Sequence, residues 1–389
     1  MRIAINAWFL DRQITGSGEY LRNLMRAMPE AGQGHRFLLV TPRARPNFAV
    51  PQLEHEFWSL RAPFWSSRLG KVLFEQVAFP RICHRWGADL AHVPYWGSPL
   101  RPSVPTLVTI HDLIPWLLPE YRGSILVRLY TRLVAASARK ASLVLTDSLA
   151  SKRDIEEYLH LPSRQVHCVY LAASEHLNPE PMPDDQAIRY RYRLPRRYIL
   201  YLAGHDVRKN VSGLLKSFAI VMQADDDVTL VIGGQLPPRT QAPLFDPRPL
   251  TAALGLEKNV RFIGRVDEAH KPALLRGATC AVFPSRYEGF GLPVLEALAC
   301  GTPLITTSAS SLPELVGDAG FALDPDDLDG MAGAILACLV DESLVAELRR
   351  RGPKQAAQFS WARTARETVA LYKETAGTES VREVDTCAS

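Results

Sequence analysis

Pro284-Ser285-Arg286-Tyr287-Glu288-Gly289-Phe290-Gly291-Leu292-Pro293-Val294-Leu295-Glu296 separates a short apolar run, Cys280 to Phe283, from a segment that reads as a helix beginning at Pro293. A strand-length apolar run, a glycine-containing loop and a helix together make the repeating unit of a parallel α/β sheet. Proline is preorganised for the first helical position and has no amide to leave unpaired there. Gly289 and Gly291 would let backbone N–H groups approach a ligand closely, and the dipole of the following helix favours an anion. Glu288 lies in the loop and Glu296 about one turn into the helix, so two carboxylates flank that cradle.

The same alternation extends in both directions. In the first half the strand candidates are residues 2–7, 36–41, 89–93, 106–110, 143–146 and 166–169. A polar, proline-containing stretch, residues 178–195, follows, and the pattern restarts with 198–203, 229–232, 260–263, 281–283, 304–306 and 320–323. Two doubly wound parallel-sheet domains joined near 178–195 are therefore expected, with ligands at the carboxyl ends of the strands.

The chain has 389 residues, enough for two separate cores. A formal charge of +4 is too weak to argue for a nucleic-acid partner. No run approaches the roughly 18 apolar residues of a membrane span. The opening MRIAINAWFL reads directly as a strand, without the zones of a signal peptide. Six scattered cysteines with no Cys-x-x-Cys pair fit reduced thiols and a cytoplasmic setting.

Three further loops carry candidate chemistry. After residues 198–203 comes Gly204-His205-Asp206-Val207-Arg208-Lys209-Asn210, with Asn210 as the expected helix cap. Arg208 and Lys209 would then stand where a strand hands over to a helix, able to neutralise a departing diphosphate. Residues 106–110 run into His111-Asp112, at the carboxyl end of a strand. Residues 2–7 lead to Thr15-Gly16-Ser17-Gly18-Glu19-Tyr20 and a helix with Leu21, Leu24, Met25 and Met28 on one side. That loop lacks the third glycine of a dinucleotide-binding fingerprint.

Glu288 and Glu296 with Gly-Phe-Gly-Leu-Pro between them resemble the Glu-x7-Glu signature of family 4 glycosyltransferases, retaining enzymes of GT-B fold. The Arg-Lys-Asn run is similar to that family's diphosphate-binding loop; many members carry an arginine soon after the glycine, where this chain has His205. Ser308-Ala309-Ser310-Ser311-Leu312-Pro313-Glu314-Leu315 resembles mannosyltransferase-like members. The resemblance runs from about residue 15 to residue 361, stronger in the second half.

That resemblance implies an α/β GT-B enzyme. An acceptor-binding domain is expected over residues 1–180 and a nucleotide-sugar domain over 195–361. A helix at 362–374 would cross back onto the first domain, and a disordered tail would occupy 375–389. The implied reaction is retaining, metal-independent transfer of a hexose, first guess mannose from GDP-mannose, to a glycan or lipid-linked glycan. Catalysis falls on His111, Arg208, Lys209 and Glu288. Donor contacts fall on Gly16, Gly18, Asp112, His205, Arg265, Val266, Gly289, Phe290, Gly291, Leu292 and Glu296. No metal or cofactor is expected, and the aspartates at 225–227 and 324–326 read as solvated turns.

Between Trp58 and Trp86, Arg61, Arg68, Lys71, Arg81 and Arg85 interleave with Phe64, Trp65, Phe74 and Phe79. Such a stretch would suit either peripheral contact with an anionic membrane, here its inner face, or an amphipathic helix with its aromatics in the core. Other functional classes compete with glycosyl transfer. A nucleotide-sugar epimerase or hydrolase would need a second acidic pair near the sugar. A non-catalytic sugar-nucleotide-binding protein would not need Arg208, Lys209, Glu288 and Glu296 together.

Overall fold

The computed structural model describes residues 1–11, 16–42, 48–51, 53–59 and 67–377. The chain forms two compact units, one of Met1–Leu171 with the chain from Ser360 onward, the other of Ala172–Phe359. Each is built on an all-parallel sheet.

In the first unit the strands are β1 (Arg2–Asn6), β2 (Arg36–Thr41), β3 (His55–Ser59), β4 (Leu90–Val93), β5 (Thr106–Thr109), β6 (Leu143–Thr146) and β7 (Val166–Cys168). Their order is β3-β2-β1-β4-β5-β6-β7. The second unit holds β8 (Tyr198–Leu202), β9 (Thr229–Gly233), β10 (Val260–Gly264), β11 (Cys280–Phe283), β12 (Leu304–Thr307) and β13 (Gly320–Leu323), in the order β10-β9-β8-β11-β12-β13. The central strands β4, β5, β6, β8, β11 and β12 are buried along their whole length. Strands covered on both faces read as continuous apolar runs, which is why they stand out in the sequence. β3 does not. It is a half-buried edge strand, HEFWS, with no apolar run.

The segment 178–195, expected only to join the domains, holds a helix, Asp185–Arg191. Arg276 of helix Lys271–Gly277 clamps it, its Nε donating to Asp185 Oδ2 at 2.8 Å and its Nη2 to Oδ1 at 2.5 Å. Short and polar, it has no apolar face to announce it. The last helix, Trp361–Thr375, belongs to the first unit. Thr364 Oγ1 donates to the Tyr170 carbonyl at 2.7 Å, and the Trp361 ring lies 6.3 Å from that of Tyr20 on helix Gly16–Ala31. From residue 378 the expected tail lies outside the described residues.

The aromatics of residues 58–86 divide. Phe64 and Trp65, with Arg61, lie outside the described residues, while Phe74, Phe79 and Trp86 are buried in the first core with Trp58 packed against it. For these four the core reading holds. No helix among the described residues is long and apolar enough to cross a membrane.

A buried polar bridge ties the last helix to the sheet. His92 on β4 meets the Tyr372 hydroxyl at 2.8 Å through Nδ1 and the Thr109 hydroxyl at 2.9 Å through Nε2. Burial holds the imidazole down to about 3, far below its ordinary 6.5, with His111 adding in the same direction. Tyr372→Phe strands a buried ring nitrogen and is expected to cost about 1–3 kcal/mol in urea unfolding. Unfolded His92 takes a proton below pH 6.5 and folded His92 does not, so this site's contribution to stability declines as pH falls from 6.5 toward 3. A urea midpoint unchanged by Tyr372→Phe would remove the bridge from the account.

Candidate active site

The strand order of the second unit reverses between β8 and β11, and in open α/β sheets that point opens a crevice at the strands' carboxyl ends. The loops leaving these two strands carry the residues singled out from the sequence.

After β8 the chain makes a tight turn, Val207–Lys209, and Asn210 follows in the left-handed region at φ 53°. The Asn210 side chain accepts from Gly213 N, capping helix Val211–Val221, and donates to the Pro325 carbonyl at 2.9 Å. With the turn fixed at its far end, Arg208 and Lys209 face the β11 loop. Arg208 Nη1 donates to Glu288 Oε2 at 2.5 Å and to the Tyr287 carbonyl at 3.0 Å, and its Nε lies 3.0 Å from Asp206. Lys209 Nζ donates to Glu288 Oε1 at 2.5 Å. Backbone joins the loops too, Arg286 N donating to the Arg208 carbonyl at 2.7 Å.

Glu288 is thus a buried carboxylate shared by two cations. Burial alone would raise its pKa, but Lys209 and Arg208, with hydrogen bonds from Lys209 and Ser285, hold it down at about 2. Its main chain is equally fixed. Glu288 N donates to Ser310 Oγ at 2.8 Å, and Ser310 Oγ returns a bond to the Glu288 carbonyl at 2.8 Å. Ser311 Oγ lies 3.0 Å from that carbonyl and 2.6 Å from the carbonyl of Phe290. The Ser310–Ser311 pair, noted in the sequence only for its resemblance, is therefore the clamp on the Glu288 loop.

Gly289, Phe290 and Gly291 are buried and lead into helix Leu292–Ala299, with Leu292 half-buried at its start and Pro293 in the first turn. Gly291 has φ +114°, and a Cβ there would come within 2.8 Å of the Leu312 side chain, so only glycine fits. Glu296 is buried one turn on, with Lys271 Nζ at 3.2 Å from both its oxygens and 2.8 Å from Glu268. Burial opposes the Lys271 charge, yet these two carboxylates raise its pKa. Lys271 carries no sequence signal; only folding brings it to Glu296.

His205 sits buried at the end of β8. Burial holds its pKa down against the opposing pull of the Gly234 backbone, Asp206 and Asp246. Gly264 ends β10 at φ +68°, followed by exposed Arg265 and buried Val266. Of the aspartates at 225–227 and 324–326, Asp225 pairs with Arg197 at 2.7 Å and Asp326 with Arg286, both distant in the chain.

The remaining sequence candidates belong to the first unit. His111 follows β5, and its Nδ1 donates to Asp147 Oδ2 at 2.6 Å. Burial lowers its pKa, but Asp147 more than compensates, so the net shift is upward. The Tyr20 ring stands edge-on to it at 4.9 Å. Asp112 accepts from Ile114 N at 2.9 Å, a local turn contact. Gly16 and Gly18 lie within the first turns of helix Gly16–Ala31 rather than in the loop expected for them; Thr15 lies outside the described residues.

Residues 14–173 match the Glycosyltransferase Family 4 domain and residues 185–357 match Glycosyl transferases group 1. O-antigen chain mannosyltransferase B of Escherichia coli is 33% identical over 269 residues, covering 69% of this chain and 70% of that protein. The chain belongs to the family 4 glycosyltransferases. This glycosyltransferase is also 29% identical to the MMP alpha-(1->4)-mannosyltransferase of Mycolicibacterium hassiacum, over 96% of its own length and 98% of the other's. Sucrose-phosphate synthase from Thermosynechococcus elongatus shares its fold, with TM-score 0.75 at 22% identity over 97% of this chain and 100% of that one. The architecture is GT-B.

Glu288→Gln removes the carboxylate shared by buried Lys209 and half-buried Arg208 and is expected to destabilise the protein by about 3 kcal/mol or more. In the wild type this contribution is full above the ordinary carboxylate value of 4.5 and is lost as pH falls from there toward 2. Urea titrations of both proteins at pH 7 and pH 3 check the two statements; equal midpoints at pH 7 would show that the cluster holds nothing.

Proposed function

We propose that this glycosyltransferase moves a hexose from a nucleotide sugar to a glycan or lipid-linked glycan, retaining anomeric configuration and using no metal, with GDP-mannose the first donor to test. The observation that carries the reading is the Arg208–Lys209–Glu288 cluster at the β8/β11 switch point, beside a glycine-led helix start. Mannose is supported by the mannosyltransferases among its relatives and by the Ser308–Leu315 resemblance.

In this scheme the anomeric C–O bond breaks with its electron pair passing to the diphosphate. Lys209 and Arg208 stabilise the charge that grows there, an interaction stronger in the transition state than before it. The acceptor hydroxyl attacks on the same face, forms the new C–O bond and gives its proton to the leaving phosphate. Glu288 is assigned to positioning sugar hydroxyls and not to accepting the proton, which the leaving phosphate takes. Backbone amides of the 289–292 segment are assigned to the diphosphate, Glu296 to the ribose, and the backbone of Arg265 and Val266 to the base. His111 is assigned to the transferred sugar and its phosphate, and Asp112 to orientation or acceptor contact. Five free, buried cysteines among the described residues support a cytoplasmic setting.

Lys209→Ala is expected to lower turnover by about a hundredfold at saturating donor, the scale of losing one preorganised charge-stabilising group. Near-normal turnover would displace the phosphate assignment. A panel of nucleotide sugars in EDTA, read by thermal stabilisation and slow donor hydrolysis, identifies the donor. A requirement for added divalent metal in that panel would overturn the metal-free scheme.

A further inference from the structure

Between Glu120 and Asp147 the chain carries Arg122, Arg128, Arg132, Arg139 and Lys140 and no acid. Most of this stretch is helix Ile125–Ala138, which buries Thr131, Val134, Ala135, Ser137 and Ala138 against the first unit. Its outer face is not the polar surface expected of a helix in water. Ile125 is 73% exposed, Leu126 65% and Leu129 55%. At about 3.6 residues per turn, Ile125, Leu129 and Arg132 share one stripe, with Arg128 along one border and Leu126 along the other.

The neighbouring helix, Arg68–Leu73, extends the surface. Lys71 Nζ donates to the Tyr130 hydroxyl at 2.5 Å, and that hydroxyl donates to buried Glu75 at 3.0 Å, which links the two segments. It adds exposed Leu69 and Leu73, and Leu100, whose amide donates to Gln76, is exposed nearby beside exposed Arg101. Six of the eleven exposed large apolar residues among those described thus lie on helix Ile125–Ala138 and on segments joined to it through Lys71 and Gln76. That is a concentration, not scatter.

We propose that this face docks on an anionic lipid bilayer, with Ile125, Leu126 and Leu129 entering the headgroup–acyl boundary and Arg128 and Arg132 at the level of the lipid phosphates. The occupant follows from what each alternative leaves unmatched. A second copy packed on the same face would bring two sets of arginines together with no acid in the patch to meet them. A hydrophilic polyanion would satisfy the arginines and leave the leucines in contact with water. Lipid phosphate over acyl chain matches both, at the spacing of an interfacial amphipathic helix. The inference stands apart from the identity of the donor.

The test is co-sedimentation of the full chain with vesicles of phosphatidylcholine, alone or mixed with phosphatidylglycerol. Wild type is expected on the anionic vesicles at low salt, with partitioning that falls as salt rises. The double variants Ile125→Ser with Leu129→Ser, and Arg128→Glu with Arg132→Glu, should each weaken it about tenfold or more while leaving the thermal midpoint unchanged, since all four side chains are exposed. Arg81→Glu with Arg85→Glu removes the same charge from another exposed helix face and should leave partitioning near wild type. Equal partitioning on neutral and anionic vesicles, or variants that bind like wild type, would overturn the proposal. So would a dimer that both variants abolish without any vesicle binding, which would assign the face to a second copy.

Discussion

Two cations on one loop, Lys209 buried and Arg208 half-buried, and one buried carboxylate on another hold the switch point of the second sheet together. Lys209 and Glu288 are each too costly to bury alone, and their burial is tolerable because they are paired, with Arg208 adding a second cation to Glu288. The sheet supplies the reason they meet. β8 and β11 are neighbours in space while far apart in the chain, and the loops leaving them have no hydrogen-bonded ladder in common. Charge pairing, with Arg286 N on the Arg208 carbonyl, replaces the ladder there.

Around this pair the structure spends its local irregularities on keeping a short loop rigid. Asn210 and Ser310 both take left-handed backbone, and each uses its side chain to hold a neighbouring segment: Asn210 the Pro325 carbonyl, Ser310 the Glu288 main chain. Gly291 and Gly234 stand where a Cβ would strike Leu312 and the Ala203 carbonyl. Such strain is normally concentrated where a ligand must be met by prearranged groups. On the proposed reading, rigidity here means that the diphosphate finds its counter-charges already placed.

Legibility in the sequence follows burial. The strands covered on both faces were readable as apolar runs, and the loops after β8 and β11 as Gly204–Asn210 and Ser285–Gly291, because strand, loop and helix each leave a mark within a few residues. What lay hidden depends on distance along the chain or on weak patterning. β3 is a half-exposed edge, and helix Asp185–Arg191 is held by Arg276, about ninety residues away. Lys271 reaches Glu296, and Ser310 reaches Glu288, only through the folded sheet. The exposed stripe of helix Ile125–Ala138 escaped for the opposite reason: apolar residues at helical spacing read as core, and only the structure shows which face turns outward. The aromatics before it were read from the same kind of pattern, and those described turned inward.

The charge arithmetic of the cluster bears on how a donor would enter. Arg208, Lys209 and Glu288 sum to one positive charge, and Asp206, 3.0 Å from Arg208 Nε, offsets that charge as well. Glu288 therefore acts as an internal counter-ion, keeping the cations in place and moderating their affinity for any passing phosphate. While the two cations hold it, Glu288 keeps a pKa of about 2 and is ionised near neutral pH. On the proposed reading its release is an exchange of partners. A diphosphate that takes the cations would, on that reading, leave the Glu288 carboxylate facing hydrogen-bond donors, and sugar hydroxyls are donors of the right kind. One residue would on that reading link occupancy of the phosphate site to positioning of the sugar.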